Sequence, residues 1–326
     1  MTSCSRIGRS GRRYSSLVVG REQRISRRPG FQRRFSGASG GNGSERVATE
    51  IDPSTGICRV QLARPDKLNA FDIPMFEAVA ETATRLKTDR SIRVVILSGQ
   101  GRAFSTGLDV KSVLKDGDPR KKIKHLIERR SRPCSVPWNE DQDVKQITSN
   151  LAQDVSILWR ELDAPVVAVL QGMCYGAGLQ VALGADFRYS TPDCRLSVME
   201  GKWGLIPDMG ASILLPELVR IDVAKELTMT ARIVGGSEAA DLGLVTRVCE
   251  DPMREAELFA EELVERSPDA VAAAKRLYQR TWTASDEESL RMETELQEQL
   301  LVSWNQLAAS GRAALGLGVP YTKRKR

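Results

Sequence analysis

PVVAVLQGMCYGAGLQVALGADFRYSTPDCRLSVMEGKWGLIPDMGAS, residues 165 to 212, decides how the rest of the chain is read. Its β-branched run, Val166, Val167 and Val169, stops at Gln171-Gly172. A glycine-rich turn follows from Gly172 to Gly178, and then an apolar, helix-like segment from Leu179 to Ala185. Strand, glycine turn and helix is the arrangement that leaves backbone N–H groups exposed at a helix start. A run of glycines also serves tight packing, so the turn alone does not decide between the two uses. About 20 residues beyond Gln180 come two carboxylates, Glu200 and Asp208, in an apolar and glycine-rich setting. Amide donors followed by two acids are what an enzyme needs to form and quench an enolate.

The whole chain has 326 residues, enough for one or two domains with a substantial core. The longest apolar stretch, 165–185, carries Gln171, Gln180 and four glycines, and reads as a buried strand plus helix rather than a membrane span. Six cysteines are scattered without a C-x-x-C pair, which argues against a zinc site or a disulfide framework and suits a reducing compartment. The single histidine, His125, sits in the basic run KKIKHLIERR and reads as a solvated surface residue. A metal site built on histidines is excluded by count. No G-x-S-x-G elbow supports a serine nucleophile.

Charge is unevenly placed. Residues 1–46 hold eleven arginines against only Glu22 and Glu45, a net of +9, whereas the whole chain is +6, so the remainder is −3. The basic character therefore belongs to the N-terminus, which removes most of the compositional case for nucleic-acid binding. Residues 1–45 have the composition of a transit peptide, with Arg6, Arg9 and Arg13 at helical spacing and Arg33-Arg34-Phe35-Ser36 resembling a mitochondrial processing site. The expectation is the mitochondrial matrix, with a plastid as the other targeting destination and a disordered basic arm as the alternative.

From Val47 to Leu62 the pattern predicts a hairpin around DPSTG. Asp72 and Pro74 predict the start of a helix whose Met75, Ala78, Val79, Thr82 and Leu86 share one face. RVVIL, 93–97, reads as a buried strand, and GRAFSTGLD, 101–109, as a second glycine turn into a helix, able to supply a second amide donor. The polar stretch 112–147 reads as an insertion or mobile lid. Asn150 to Leu162 reads as an amphipathic helix, 237–244 as a short helix, and 251–267, 268–281 and 286–310 as three more. Alternating strands and helices followed by a helical tail give an α/β class. The terminal Lys323-Arg-Lys-Arg326 reads as a frayed, solvated end.

Five pieces, in order, carry a resemblance: RPDKLNA at 64–70, GRAFSTGLD at 101–109, QGMCYGAGLQ at 171–180, GLIPDMG at 204–210 and EAADLGLV at 238–245. Together they resemble the crotonase, or enoyl-CoA hydratase/isomerase, family from about residue 47 to 300. The resemblance implies a ClpP/crotonase-like fold of stacked ββα units over 46–250, and a C-terminal helical domain over 251–326 that helps to build a homotrimer or hexamer. It implies an acyl-CoA thioester as ligand, with CoA part of the substrate and no separate cofactor or metal, and a place in fatty-acid β-oxidation. It places the two thioester-binding amides at Leu108 and Ala177, the latter usually a glycine in the family. It sets Lys67, Asn69, Ala70, Ser105, Thr106, Gly107, Asp109 and Gly178 around the substrate and CoA. Basic residues near 120–132 meet CoA phosphates or form a solvated face.

The acids divide the subfamilies. A hydratase resembling this chain would carry glutamates at 180 and 200; here position 180 is Gln180, which cannot act as a base. Glu200 followed by Asp208 is similar to the Δ3,5-Δ2,4-dienoyl-CoA isomerases, which usually also have an aspartate where Gln180 stands. The expectation is therefore a double-bond isomerase with Glu200 and Asp208 moving protons and Gln180 beside them. An enoyl-CoA hydratase using Glu200 is the alternative, and a degenerate or RNA-binding relative a lesser one. Asp208 also reads as a loop or cap acid after Pro207.

Overall fold

The computed structural model describes residues 45–115, 118–133 and 146–325. The segment read as a transit peptide lies outside the described residues, as do 116–117 and 134–145 within the stretch read as a lid. The described chain opens on the expected hairpin, β1 (Val47–Ile51) and β2 (Ile57–Leu62), antiparallel with Val47 opposite Leu62. Helix α1 (Ile73–Thr88) starts where Asp72 accepts a hydrogen bond from the Met75 amide, with Pro74 in its first turn. Its buried face is Met75, Phe76, Val79, Ala80, Thr82, Ala83 and Leu86, while Ala78 stays at the margin. Strand β3 (Val94–Gly99) is buried throughout.

The stretch read as an irregular insertion is, where described, regular structure: α2 (Val110–Lys115), α3 (Pro119–Ile127) and an antiparallel ribbon of β4 (Arg130–Pro133) with β5 (Gln146–Ser149). Most of the described charges of this stretch are exposed, while Arg132 is half-buried and pairs with Asp154 and Glu161. Asp118 caps α3 through the Arg120 amide, and Leu126 is buried beneath it. His125 of this helix is hydrogen-bonded to Glu77 at 3.0 Å.

Helix α4 (Leu151–Glu161) begins with a capping box between Asn150 and Gln153. Then come β6 (Val166–Leu170), the short β7 (Met173–Tyr175) inside the glycine run, and α5 (Ala177–Leu183). They are followed by β8 (Phe187–Ser190), β9 (Arg195–Ser197), a 3₁₀ turn at Met199–Trp203, α6 (Ala211–Leu218), α7 (Ile221–Thr230), β10 (Val234–Gly235), α8 (Gly236–Leu242) and β11 (Arg247–Val248). The main sheet has six strands in the order β1-β2-β3-β6-β8-β11, all parallel after the first hairpin. A smaller sheet runs β10-β9-β7, and Ser105 extends it by a parallel bridge to Cys174. The repeating unit is thus a strand of the large sheet, a short strand of the small one, and a helix: the stacked ββα arrangement of the crotonase fold.

Both faces of the main sheet are covered, as parallel sheets require. Val166, Ala168 and Leu170 pack with α1, α4 and α5 on one side. Val167, Val169 and Tyr189 pack on the other against Ala256 and Ala260 of α9 (Pro252–Val264), where Phe187 and Phe259 meet edge to face at 4.9 Å. The C-terminal region holds four helices rather than three: α9, α10 (Pro268–Thr281), α11 (Asp286–Leu300) and α12 (Trp304–Leu315). The expected single helix over 286–310 breaks because Val302 is left-handed (φ 59°) and Ser303 caps a new helix through the Gln306 amide. The basic terminus departs from the expected frayed, solvated end at Arg324, whereas Lys323 and Lys325 are exposed and Arg326 lies outside the described residues. Arg324 is only 4% exposed and donates to the carbonyls of Ile92 and Asp89 at 3.1 and 3.3 Å. Among the described residues, no helix is long and apolar enough to cross a membrane, and no cluster of three or more His, Cys, Asp or Glu is placed to hold a metal.

Candidate active site

Helix α5 starts at Gly176, where φ is 50° and no side chain caps the turn. Its first internal bond runs from the Gln180 amide to the Gly176 carbonyl at 3.0 Å. The Ala177 amide thus stands ahead of the helical ladder and donates to no other group among the described residues. Beside it runs the 103–108 turn. Ser105 donates its amide to the Met173 carbonyl and accepts from the Tyr175 amide, both at 3.0 Å, so the turn lies along β7 as an extra strand. Gly107 has φ 89°, and a Cβ on it would stand 2.8 Å from the Tyr175 carbonyl oxygen and 3.5 Å from the Ala177 nitrogen. The next residue is Leu108, whose amide likewise has no acceptor among the described residues. Two free amides from two ββα units therefore meet at the head of α5, as the two glycine turns predict.

Most of the residues expected around the substrate build this corner. Asn69 is fully buried: its amide nitrogen donates to the carbonyls of Gln100 and Ala103, both at 2.9 Å, and its oxygen accepts from the Arg64 amide. Ser105 Oγ, also fully buried, donates to the Asn69 carbonyl and accepts from the Gly107 amide. Gly178 packs against Ser105, whose Cβ would lie 2.6 Å from any added Cβ. Thr106 donates its amide to the Leu68 carbonyl. Asp109 pairs with Arg64 at 2.8 Å and caps α2 by accepting from the Ser112 amide. The Ala70 carbonyl accepts from Arg64 as well. Lys67, at the end of a 3₁₀ turn, is exposed.

The carboxylates stand on the other side of the α5 start. Glu200 Oε1 lies 3.3 Å from where a Cβ on Gly176 would be, which sets the carboxyl against the turn that presents Ala177. The same oxygen accepts from Gln180 Nε2 at 2.7 Å, and Gln180 Oε1 accepts from the Met209 amide at 2.9 Å. Glu200 Oε2 is buried and has no hydrogen-bond partner among the described residues. Burial raises the Glu200 pKa, against the hydrogen bond from Gln180, and the Asp208 charge raises it further. Asp208 keeps much of its surface in solvent, yet the protein packed around its carboxyl raises its pKa by desolvation. Gly176 and Met209 carry weight here that no motif announces, because each acts through backbone: one as the floor under Glu200, the other as the donor that orients Gln180.

The arrangement offers two amide donors for a developing oxyanion, one half-buried carboxylate whose second oxygen is buried without a hydrogen-bond partner among the described residues, and a second acid whose charge raises its pKa. A separate cavity of about 210 Å³, lined by Leu183, Leu214, Tyr278 and Trp282 among others, lies at the far end of α5 and includes none of the expected site residues.

A family model described as enoyl-CoA hydratase/isomerase matches residues 57–300. A carnitinyl-CoA dehydratase from Salmonella typhi is 30% identical over 238 residues, covering 72% of this chain and 81% of the relative. Among solved structures, an enoyl-CoA hydratase from Bacillus anthracis superimposes with a TM-score of 0.72 at 22% identity, covering 85% of this chain and 98% of that one. Another from Mycobacterium smegmatis gives 0.69 at 24%, covering 82% and 95%. At such identities the two structures speak for the fold alone.

Proposed function

The chain belongs to the enoyl-CoA hydratase/isomerase family, and from that premise we propose that it is an acyl-CoA double-bond isomerase of the 3,5-dienoyl to 2,4-dienoyl type. The thioester oxygen accepts from the Leu108 and Ala177 amides. Glu200 Oε2 removes a proton from the acyl chain; the C–H electron pair moves through the conjugated system onto the oxygen those amides face. Asp208 returns a proton further along the chain, the enolate electrons move back, and the substrate leaves as its isomer with no net gain of protons. Donors of this kind are typically worth about 10²–10³ in rate each, and a positioned acid or base about 10²–10⁴.

The observation that carries this reading is the pairing of a buried, unpartnered Glu200 oxygen with a second acid, Asp208, whose charge reaches it. Gln180 supports it, since the partner of Glu200 at that position is an amide and not the second glutamate that a water-adding pair would supply. Addition of water to a trans-2-enoyl-CoA, or its reverse, is the second reading; Glu200 alone and the similarity to a dehydratase favour it.

Offering the purified protein a 3,5-dienoyl-CoA and, separately, crotonyl-CoA distinguishes the two. Isomerisation predicts growth of the 2,4-dienoyl-CoA chromophore with the first, cut at least about 10²-fold by Glu200→Gln and by Asp208→Asn. Hydration of crotonyl-CoA that falls with Glu200→Gln but not with Asp208→Asn would sink the isomerase reading.

A further inference from the structure

We propose that Gln180 is the positioning residue of this site: its amide clamps Glu200 by one oxygen, aims the other at the substrate, and ties the Asp208 segment to the same clamp. The inference rests on Glu200 being the base. Gln180 is 1% exposed and is the sole polar side chain of α5. Its two ends are not interchangeable. The Met209 amide can only donate, so the Gln180 oxygen must face it at 2.9 Å. That leaves Nε2 for Glu200 Oε1, at 2.7 Å. The backbone thus fixes the amide so that it can only donate to Glu200.

A fixed donor favours a carboxylate over a carboxylic acid. It opposes the burial of Glu200, so the base stays available although half of it is withdrawn from water. It also breaks the symmetry of the carboxyl. Oε1 is held, and Oε2, which has no partner among the described residues, is the oxygen left for chemistry. Because Met209 follows Asp208 directly, the same amide sets where the second acid begins.

Among the described residues, no cation is paired with Glu200. Asp208 is the charged neighbour that acts on Glu200. Helix α7, packed beneath the 199–203 turn, carries Asp222, Lys225 and Glu226, all exposed, with Asp222 paired to Arg220 and Glu226 to Arg232. Lys202 on the turn itself is exposed. The Gln180 donor is therefore the one side chain that stabilises the Glu200 charge among the described residues, beside a backbone hydrogen bond at Glu200 itself.

Two variants of the full chain test this. Gln180→Met keeps the length and cannot donate; Gln180→Glu keeps an acceptor for the Met209 amide but sets a second carboxyl against Oε1. The Glu200 ionisation is followed by infrared pH titration, its band assigned by its loss in Glu200→Gln, and turnover is measured with a 3,5-dienoyl-CoA. In Gln180→Met the midpoint is expected to rise by about one pH unit, and further in Gln180→Glu. Below the wild-type midpoint the kcat of Gln180→Met falls about tenfold with KM little changed, and recovers as pH rises. An unmoved midpoint in both variants, or a kcat loss equal at every pH, overturns the proposal. So does collapse of both melting transitions, since the amide would then serve the fold. If the midpoints move while wild type does not turn over the dienoyl-CoA, the clamp stands and the isomerase reading falls.

Discussion

A carboxylate with one oxygen buried and unpartnered is costly to ionise, and Glu200 carries that cost in the folded state. Its folded pKa lies above its unfolded one, so between the two values the folded protein holds a proton the unfolded chain has released. Stability then declines as pH climbs through that window and remains lower above it. Glu200→Gln, which keeps an oxygen for Gln180 and discards the charge, should therefore melt about 2 °C above wild type at pH 7. The difference should vanish below about pH 3, where the carboxyl is protonated in both states. A lower Tm for the variant at neutral pH would show that the charge is better solvated than its burial implies. In turnover the same shift places the acid limb of the rate profile above the ordinary carboxylate range, because the base must be ionised to act. At this scale the residue types were legible in the sequence: Glu200, Asp208 and Gln180 could be named. Their connections were not, since one runs through the Met209 amide and such a bond leaves no trace in side-chain chemistry.

Helix α5 has only seven residues, too short to hold itself together in water, and every one of them is buried. Its start is therefore set by packing: Gly178 against Ser105, and Gly176 against Glu200. The strand, glycine turn and helix were readable from valines and glycines, but β7 was not, because three residues inside a glycine run offer no alternation to read. For the same reason the 103–108 turn reads as a loop, although Ser105 makes it a strand of the small sheet. This geometry permits a clean test of the Ala177 donor. Ala177 is the first helical residue, where proline is compatible with the backbone, removes that N–H and puts a ring methylene in its place. Ala177→Pro should lower kcat/KM by about 10²–10³ while the melting temperature changes little. A variant that folds and retains wild-type kcat/KM would show that the thioester oxygen is held elsewhere.

Across the whole molecule, the C-terminal region is fastened to the sheet by buried cations. Lys275 of α10 donates to the carbonyls of Trp159 and Ala164 and pairs with Asp186 at 2.7 Å. Arg276 binds Asp163, and Arg324, near the chain end, reaches the carbonyls that close α1 and precede β3. A Lys-Arg-Lys-Arg tail looks solvated because composition is all that a terminal segment offers. What buries Arg324 is a set of acceptors more than 200 residues earlier in the chain, at Asp89 and Ile92, together with Asp163 at 3.8 Å. No local pattern can announce such a site. Removing that guanidinium leaves two carbonyls without their donor inside the protein, a loss of about 1–3 kcal/mol. In a protein of this size Arg324→Ala should thus lower Tm by about 5 °C. Asp163 keeps Arg276, so no buried carboxylate is orphaned and the loss should stay within that range. None of these contacts touches Gln180, Glu200 or the two free amides, so kcat below the melting transition should match wild type. A Tm unchanged by Arg324→Ala would mean the arm is not fastened in solution, whereas a matching fall in kcat would tie the tail to the site.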